Sequence, residues 1–322
     1  MNFGKRGQFN FVWLFALIVG GVILYLAVYG ALKAGETSGF EIDSEIAKKI
    51  SILVDPLQAG FAESSYGSIT FKEESRINNF CIDSTDDFGR NEISVSTRDR
   101  LSDEFKNLGA STSVYNKYIF SSGNNQAKKY YVFSKTFGFP YKVSDMIFLI
   151  PDNYCFYNSP EEVKDEIGRL GIPNIEMVDV SEDCSFQEDA INVCFDGVGV
   201  NCDVKVFGTC SGCSSKFDEG KVEKNGVSSE YIGELMYAAI FSDKGIYDCN
   251  VRRLLYRTSR IAEVFSEKAD LMSARGCDSN LKPDLLIWNS YLQNSTVNNL
   301  HQLNSYSESL ESKNEKENCG IW

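Results

Sequence analysis

The 322-residue sequence predicts an α+β fold: an N-terminal transmembrane helix, an amphipathic stalk helix, a disulfide-rich mixed α/β outer domain and a C-terminal antiparallel helical hairpin. Three observations predict it. Phe9 to Leu32 carries no charged side chain and follows Lys5 and Arg6. All ten cysteines lie beyond that run. The middle of the chain alternates β-prone and polar residues, and the last third repeats its apolar residues at helical spacing.

The apolar run comes first. About 24 residues at about 1.5 Å each reach roughly 36 Å, enough to cross a hydrocarbon core of about 30 Å with some tilt. Lys5 and Arg6 on the short side favour a cytoplasmic N-terminus, which puts the rest of the chain outside the cell. A cleaved secretory signal is the alternative, with an end near Val28 and Gly30. Against it, the run exceeds the roughly 7–15 residues of a signal core, and Trp13 with its Phe and Tyr neighbours suits an anchor.

The segments then follow in order. Residues 1–8 form a cytoplasmic N-terminus and residues 9–32 the membrane span. In residues 33–64, Ile42, Ile46, Ile50, Leu53, Leu57 and Phe61 recur at steps of three or four, which predicts a helix from about Phe40 to Ser64. Gly35, Gly39 and Pro56 are expected to bend it. Residues 65–245 form the disulfide-rich α/β extracellular domain. Its strands are expected around Ile69 and Phe71, around Ile93 and Val95, and at Tyr130–Phe133, with Met146–Ile150 buried on both faces. Ser159 as N-cap, Pro160 at the first helical position and Glu161-Glu162 in the first turn start a helix that Gly171 closes. Ile175–Val180 is a second strand, so residues 145–180 are expected to form a strand–helix–strand unit. Short strands at Ala190–Phe195 and Asp203–Phe207 follow, and Lys224-Asn225-Gly226 marks a hairpin turn. Residues 246–322 are the helical hairpin: Asn250–Ala274, then Asp284–Ser312. In such a hairpin Cys249 and Cys319 fall side by side and are the expected disulfide partners, which closes a loop of about 70 residues.

Composition narrows the function classes. The formal net charge is −13, and −15 remains without Lys5 and Arg6. An acidic exterior disfavours nucleic acid and anionic lipid as partners. Cys81, Cys155, Cys184, Cys194, Cys202, Cys210, Cys213, Cys249, Cys277 and Cys319 make an even set confined to the exported part, as an oxidising compartment produces. They are the candidate structural disulfides. Asn294-Ser295-Thr296 makes Asn294 a candidate glycosylation site.

Catalytic parts are few. His301 is the single histidine and sits in a polar stretch, so a Ser–His–Asp triad has only that base to use. Phosphate-cradling and dinucleotide-binding glycine loops are absent from the sequence. Cys210-Ser211-Gly212-Cys213 has three readings: a structural disulfide, a redox pair, or half of a zinc site completed by Cys202 with Cys194 or Cys184. The structural reading is preferred, because the motif is followed by a poor helix start and oxidation outside the cytoplasm competes with metal. No cofactor or metal is expected.

Lys5-Arg6-Gly7-Gln8 followed by an apolar helix resembles the class III signal of archaeal type IV pilin-like precursors. The resemblance covers about 25 to 60 residues and implies a cut between Gly7 and Gln8. It also implies a helix that begins in the membrane and continues into the outer domain. The acid common at the fifth mature position is replaced by Val12. The whole chain is similar to archaeal membrane-anchored surface proteins, a resemblance that supplies no activity. The expected role is therefore non-enzymatic: a single-pass cell-surface or envelope protein, pilin-like or part of a surface assembly, with protein partners or self-assembly. The alternatives are a membrane-tethered thiol–disulfide oxidoreductase using Cys210 and Cys213, and a ligand-binding or accessory subunit of an envelope complex. Ala16 and Gly20 offer a small-xxx-small spacing for helix contact.

Overall fold

The computed structural model describes residues 11–56, 66–84, 88–99, 104–105, 107–179, 183–186, 190–199, 201–277 and 279–322. It is mixed α+β, with an apolar N-terminal helix, two six-stranded sheets and five cysteine pairs.

Helix α1 runs from Phe11 to Pro56 without interruption, 46 residues or about 69 Å. The bends expected at Gly35 and Gly39 do not break it. Each glycine costs a helix only about 1 kcal/mol, less than the hydrogen bonds a break would forfeit. Pro56 is its last residue, so the helix ends at the proline and does not pass through it. Leu57 and Phe61, which were expected to extend the helical stripe, lie outside the described residues.

The first sheet has the order β3-β2-β1-β5-β6-β4, with β1 Gly67–Ile82, β2 Arg90–Thr97, β3 Thr112–Tyr115, β4 Tyr118–Phe120, β5 Asn124–Gly138 and β6 Lys142–Ile150. All its pairings are antiparallel except β4 with β6. The two-residue period of the strands sorts side chains to two cores. Ile119, Val132, Ile147 and Leu149 join Ile77, Ile93 and Val95 on one face, where Ala47 and Ile50 of α1 seal them. Tyr118, Phe120, Phe133, Phe148 and Ile150 face the other way into the main core. The expectation that Met146–Ile150 is buried on both faces holds for this reason.

The second sheet has the order β12-β11-β10-β9-β7-β8, with β7 Asn153–Tyr157, β8 Ile175–Val178, β9 Ala190–Phe195, β10 Val204–Gly208, β11 Glu219–Lys224 and β12 Val227–Ile232. Strands β8, β7, β9 and β10 are parallel, and β10, β11 and β12 form an antiparallel meander. Asn225 and Gly226 both adopt positive φ, at 52° and 74°, as the two-residue turn between β11 and β12 requires. Helix α2, Glu161–Leu170, crosses from β7 to β8 and ends at Gly171 in the left-handed region.

Two details correct the sequence reading here. The strand that opens this crossover is β7 and not Met146–Ile150, which belongs to the first sheet; Pro151-Asp152 separates the two strands. Pro160 occupies the N-cap position and Ser159 makes no capping bond.

Helix α3, Leu235–Phe241, is buried along its whole length between the sheets. The predicted two-helix ending is instead three helices: α4 Lys244–Ala274, α5 Lys282–Gln293 and α6 Leu300–Lys316. The predicted second helix breaks at Asn294–Thr296. There the Asn294 amide donates to the Ser290 carbonyl, the Ser295 hydroxyl to the Tyr291 carbonyl and the Thr296 hydroxyl to the Asn299 side chain. Such side-chain bonds compete with helix continuation. Because α6 turns the chain back once more, its end lies beside the start of α5, not beside the start of α4.

Candidate functional site

Three features of the molecule bear on function, and the first is the uncovered half of α1. Trp13–Ala31 has a mean hydropathy of 2.3 and none of it is buried, so by length and composition it can cross a membrane. Its 19 residues rise about 29 Å, close to the roughly 30 Å of a hydrocarbon core. Trp13 is 72% exposed and Leu17 71%. The same helix is buried at Ala47 and Ile50, so one element presents an uncovered apolar half and a half sealed to a sheet.

The second feature is the set of five disulfides. Cys81 at the end of β1 joins Cys249 on α4 across 168 residues of sequence. Cys155 joins Cys184, Cys194 joins Cys202, Cys210 joins Cys213, and Cys277 joins Cys319. No described cysteine is free. The expected Cys249–Cys319 pair is thus wrong on both partners, for the topological reason given above. Cys155, Cys184 and Cys194 are buried with Tyr157 and Val178 on the outer face of the second sheet, which otherwise has little apolar cover. There the bridges do what a larger core does elsewhere. A mutually paired, exported-type cysteine set fits an extracellular domain.

Cys210 and Cys213 occupy the loop between β10 and β11, half-exposed, with Gly212 at φ 98°. The helical turn that follows, Lys216–Asp218, is a single 3-10 turn. It offers no helix N-terminus to lower a thiol pKa. The cleft bearing the pair is lined by Asp218, Glu219 and Glu308, whose charge opposes thiolate formation, and Lys216 is engaged by Asp196. For zinc, Cys184 and Cys194 are bonded to other cysteines, and among the described residues no group of three or more His, Cys, Asp or Glu side chains is arranged to hold a metal. His301 reaches the Gly220 carbonyl at 3.0 Å, a packing contact between α6 and the second sheet.

The third feature was not singled out from the sequence. Arg253 of α4 is buried, yet its guanidinium donates to the Phe88 carbonyl at 2.8 Å, the Lys117 carbonyl at 3.0 Å and the amide oxygens of Asn91 and Asn250 at 2.7 Å each. The Tyr118 ring lies 4.7 Å from its central carbon. Asn91 in turn donates to Asn79, and Asn79 and Asn250 both donate to the Ile119 carbonyl. This network locks α4 to β1, β2 and β4 beside the Cys81–Cys249 bridge. The available signal was Asn250, Arg253 and Thr258 falling on the same helical stripe as Leu254, a polar set where an apolar one is due.

Elsewhere, burial pushes the Asp152 carboxyl up and the Lys224 amine down. Burial also holds the Tyr237 hydroxyl well above its ordinary value, and the Glu166 carboxylate that it bonds at 2.7 Å adds to the shift. These shifts arise from packing among charged neighbours and assemble no nucleophile with a base.

Asn294 is exposed where α5 ends, so the sequon is accessible. Gly7 and Gln8 lie outside the described residues. No family model, curated protein or solved structure matches this chain.

Proposed function

We propose that this chain is a non-enzymatic, single-pass surface protein. Its N-terminus is cytoplasmic, its disulfide-linked domain is extracellular, and its N-terminal helix seats it in an envelope assembly. The observation that carries this reading is the divided helix: an uncovered apolar half at Trp13–Ala31 and, without a break, a half buried on the first sheet at Ala47 and Ile50. A signal sequence awaiting removal has no need to continue as part of the folded core. Lys5 and Arg6 favour the orientation, and five disulfides suit an oxidising exterior. The pilin-like arrangement, with α1 as the assembling element after a cut between Gly7 and Gln8, is the form of assembly favoured by the Lys5–Gln8 resemblance.

N-terminal sequencing of the mature protein, paired with protease added to intact cells, tests the proposal. A start at Gln8 or Met1 with a protease-accessible domain supports it. A start near Ala31, or a domain protected in intact cells, sinks it. Filaments seen by electron microscopy would support the pilin-like form, whereas a fixed single-copy partner in pull-down would favour an accessory subunit.

A further inference from the structure

Between α5 and α6 opens a cleft of 610 Å³, within the roughly 300–1,000 Å³ of small-ligand sites. Its lining is unlike the rest of the surface. In a chain with 24% charged residues, no charged side chain lines it. The walls are amides and hydroxyls, among them Asn294, Asn299, Gln302 and Ser309, with Leu303 as the buried floor. Among the described residues the Gln302 amide and the Ser309 hydroxyl make no hydrogen bond within the chain, and the Asn299 amide nitrogen is likewise unengaged. One wall is aromatic and rigid. Phe139, Trp288, Tyr306 and Tyr291 form a ladder from the core outwards, with ring centroids 5.1, 5.6 and 5.2 Å apart. The ladder ends at Tyr291, which is 51% exposed.

We infer that this cleft binds a neutral saccharide. Each amide side chain offers one donor and one acceptor side by side, the match for neighbouring sugar hydroxyls. A fixed aromatic ring offers the flat surface on which the C–H face of a sugar ring packs. The absence of lining charge disfavours phosphate, carboxylate and metal ligands, and the polar walls disfavour a lipid tail. Two sources of the same chemistry exist. Asn294 lies in the lining and begins the only glycosylation triplet examined above, so a glycan carried there would enter the cleft; alternatively, the saccharide comes from outside the chain. The binding geometry is independent of the anchor reading, and only the attached-glycan source requires export.

The test uses the full chain in lipid nanodiscs, because sugar-headed detergents would compete. Maltotriose, mannotriose and chitotriose are titrated by calorimetry into the native chain and into a glycan-free chain of the same sequence, produced in a host without asparagine glycosylation, with trigalacturonate as the anionic comparison. Mass spectrometry reports whether native Asn294 carries a glycan. The expected result is millimolar or tighter binding of at least one neutral trisaccharide to the glycan-free chain, weakened about tenfold by Tyr291→Ala, the size of one lost stacking contact. Gln302→Leu, on the exposed face of α6, should weaken it as well and guards against a folding defect in the tyrosine variant. Binding to both the native and the glycan-free chain identifies an external saccharide. A glycan on native Asn294 that blocks added sugar and shields Tyr291 from nitration identifies the attached one. The inference is overturned if no neutral trisaccharide binds the glycan-free chain in the millimolar range and no glycan shields Tyr291. It is equally overturned if trigalacturonate or a neutral Ser/Gly peptide binds as well as the sugars, or if both variants bind sugar like their parent.

Discussion

Nη1 of Arg253 lies 2.7 Å from Oδ1 of Asn91, and that contact joins α4 to β2 inside the protein. A buried guanidinium is tolerated only when its donors are taken up, and here two backbone carbonyls and two asparagine amides do so. Replacing it by Met leaves those acceptors in a dry site without this donor. Arg253→Met should lower stability by about 3–5 kcal/mol, read as a shift in the urea midpoint with disulfides intact. An unchanged midpoint would mean that the network contributes only alignment.

The bridges should differ in weight. Opening Cys81–Cys249 by a double Ser substitution releases a constraint across 168 residues, worth about 5 kcal/mol on the entropic model. Opening Cys210–Cys213 releases a separation of only three residues, worth about 1.6 kcal/mol on the same model, and should lower the melting temperature by only about 2–3 °C. If Cys210→Ser kept its fold and a native insulin-reductase activity vanished, the thiol–disulfide enzyme would replace the proposal made above.

Helix α1 should belong to the folded domain as much as to the membrane. Ile50, 2% exposed, packs with Ala47 against the first sheet. Ile50→Ala should cost about 2–5 kcal/mol, and Ile50→Asp should free the helix from the sheet. Tryptic cleavage after Lys48 and Lys49 of α1 should then accelerate in Ile50→Asp and stay slow in the parent. Equal rates would show that the helix is only a tether.

Acid should loosen the end of β1 next to Cys81. The Arg252 guanidinium, 2.6 Å from Asp83, holds that carboxyl below its ordinary value of 3.8. A carboxyl that is more acidic in the folded state stabilises above the unfolded value, and the benefit is lost as pH falls through the folded one. The melting temperature should therefore fall more steeply below about pH 3.8 in the parent than in Asp83→Asn. Both side chains are nearly half-exposed, so the difference should stay within about 1 kcal/mol.

Local chemistry was legible in the sequence wherever one residue type has one use. Asn225-Gly226 marked its hairpin, Gly171 its helix end, and Met146–Ile150 its strand buried on both faces. Reading failed where the pattern was uniform or where distance decided. Leu235–Phe241 is apolar at all seven positions, so it shows no helical period and went unseen. Leucine spacing from 285 to 310 suggested one helix, but Asn294, Ser295 and Thr296 bond locally and split it, which moved Cys319 from Cys249 to Cys277. The neutral cleft lies at that same break. Arg253 was not singled out, because its partners come from residues 88, 91 and 117, far away in the sequence.

In the anchored form proposed above, an unbroken α1 would keep angular phase between a bilayer around Trp13–Ala31 and the domain. Each residue added between Ala31 and Ile46 would raise the domain by about 1.5 Å and swivel it by about 100° around the helix axis. One inserted alanine would therefore turn a different side of the body to any given direction, whereas seven, close to two full turns, would nearly restore the original heading. If the proposed anchoring holds, the helix would act as a keyed shaft, with the compass bearing of the domain set by the number of residues in it.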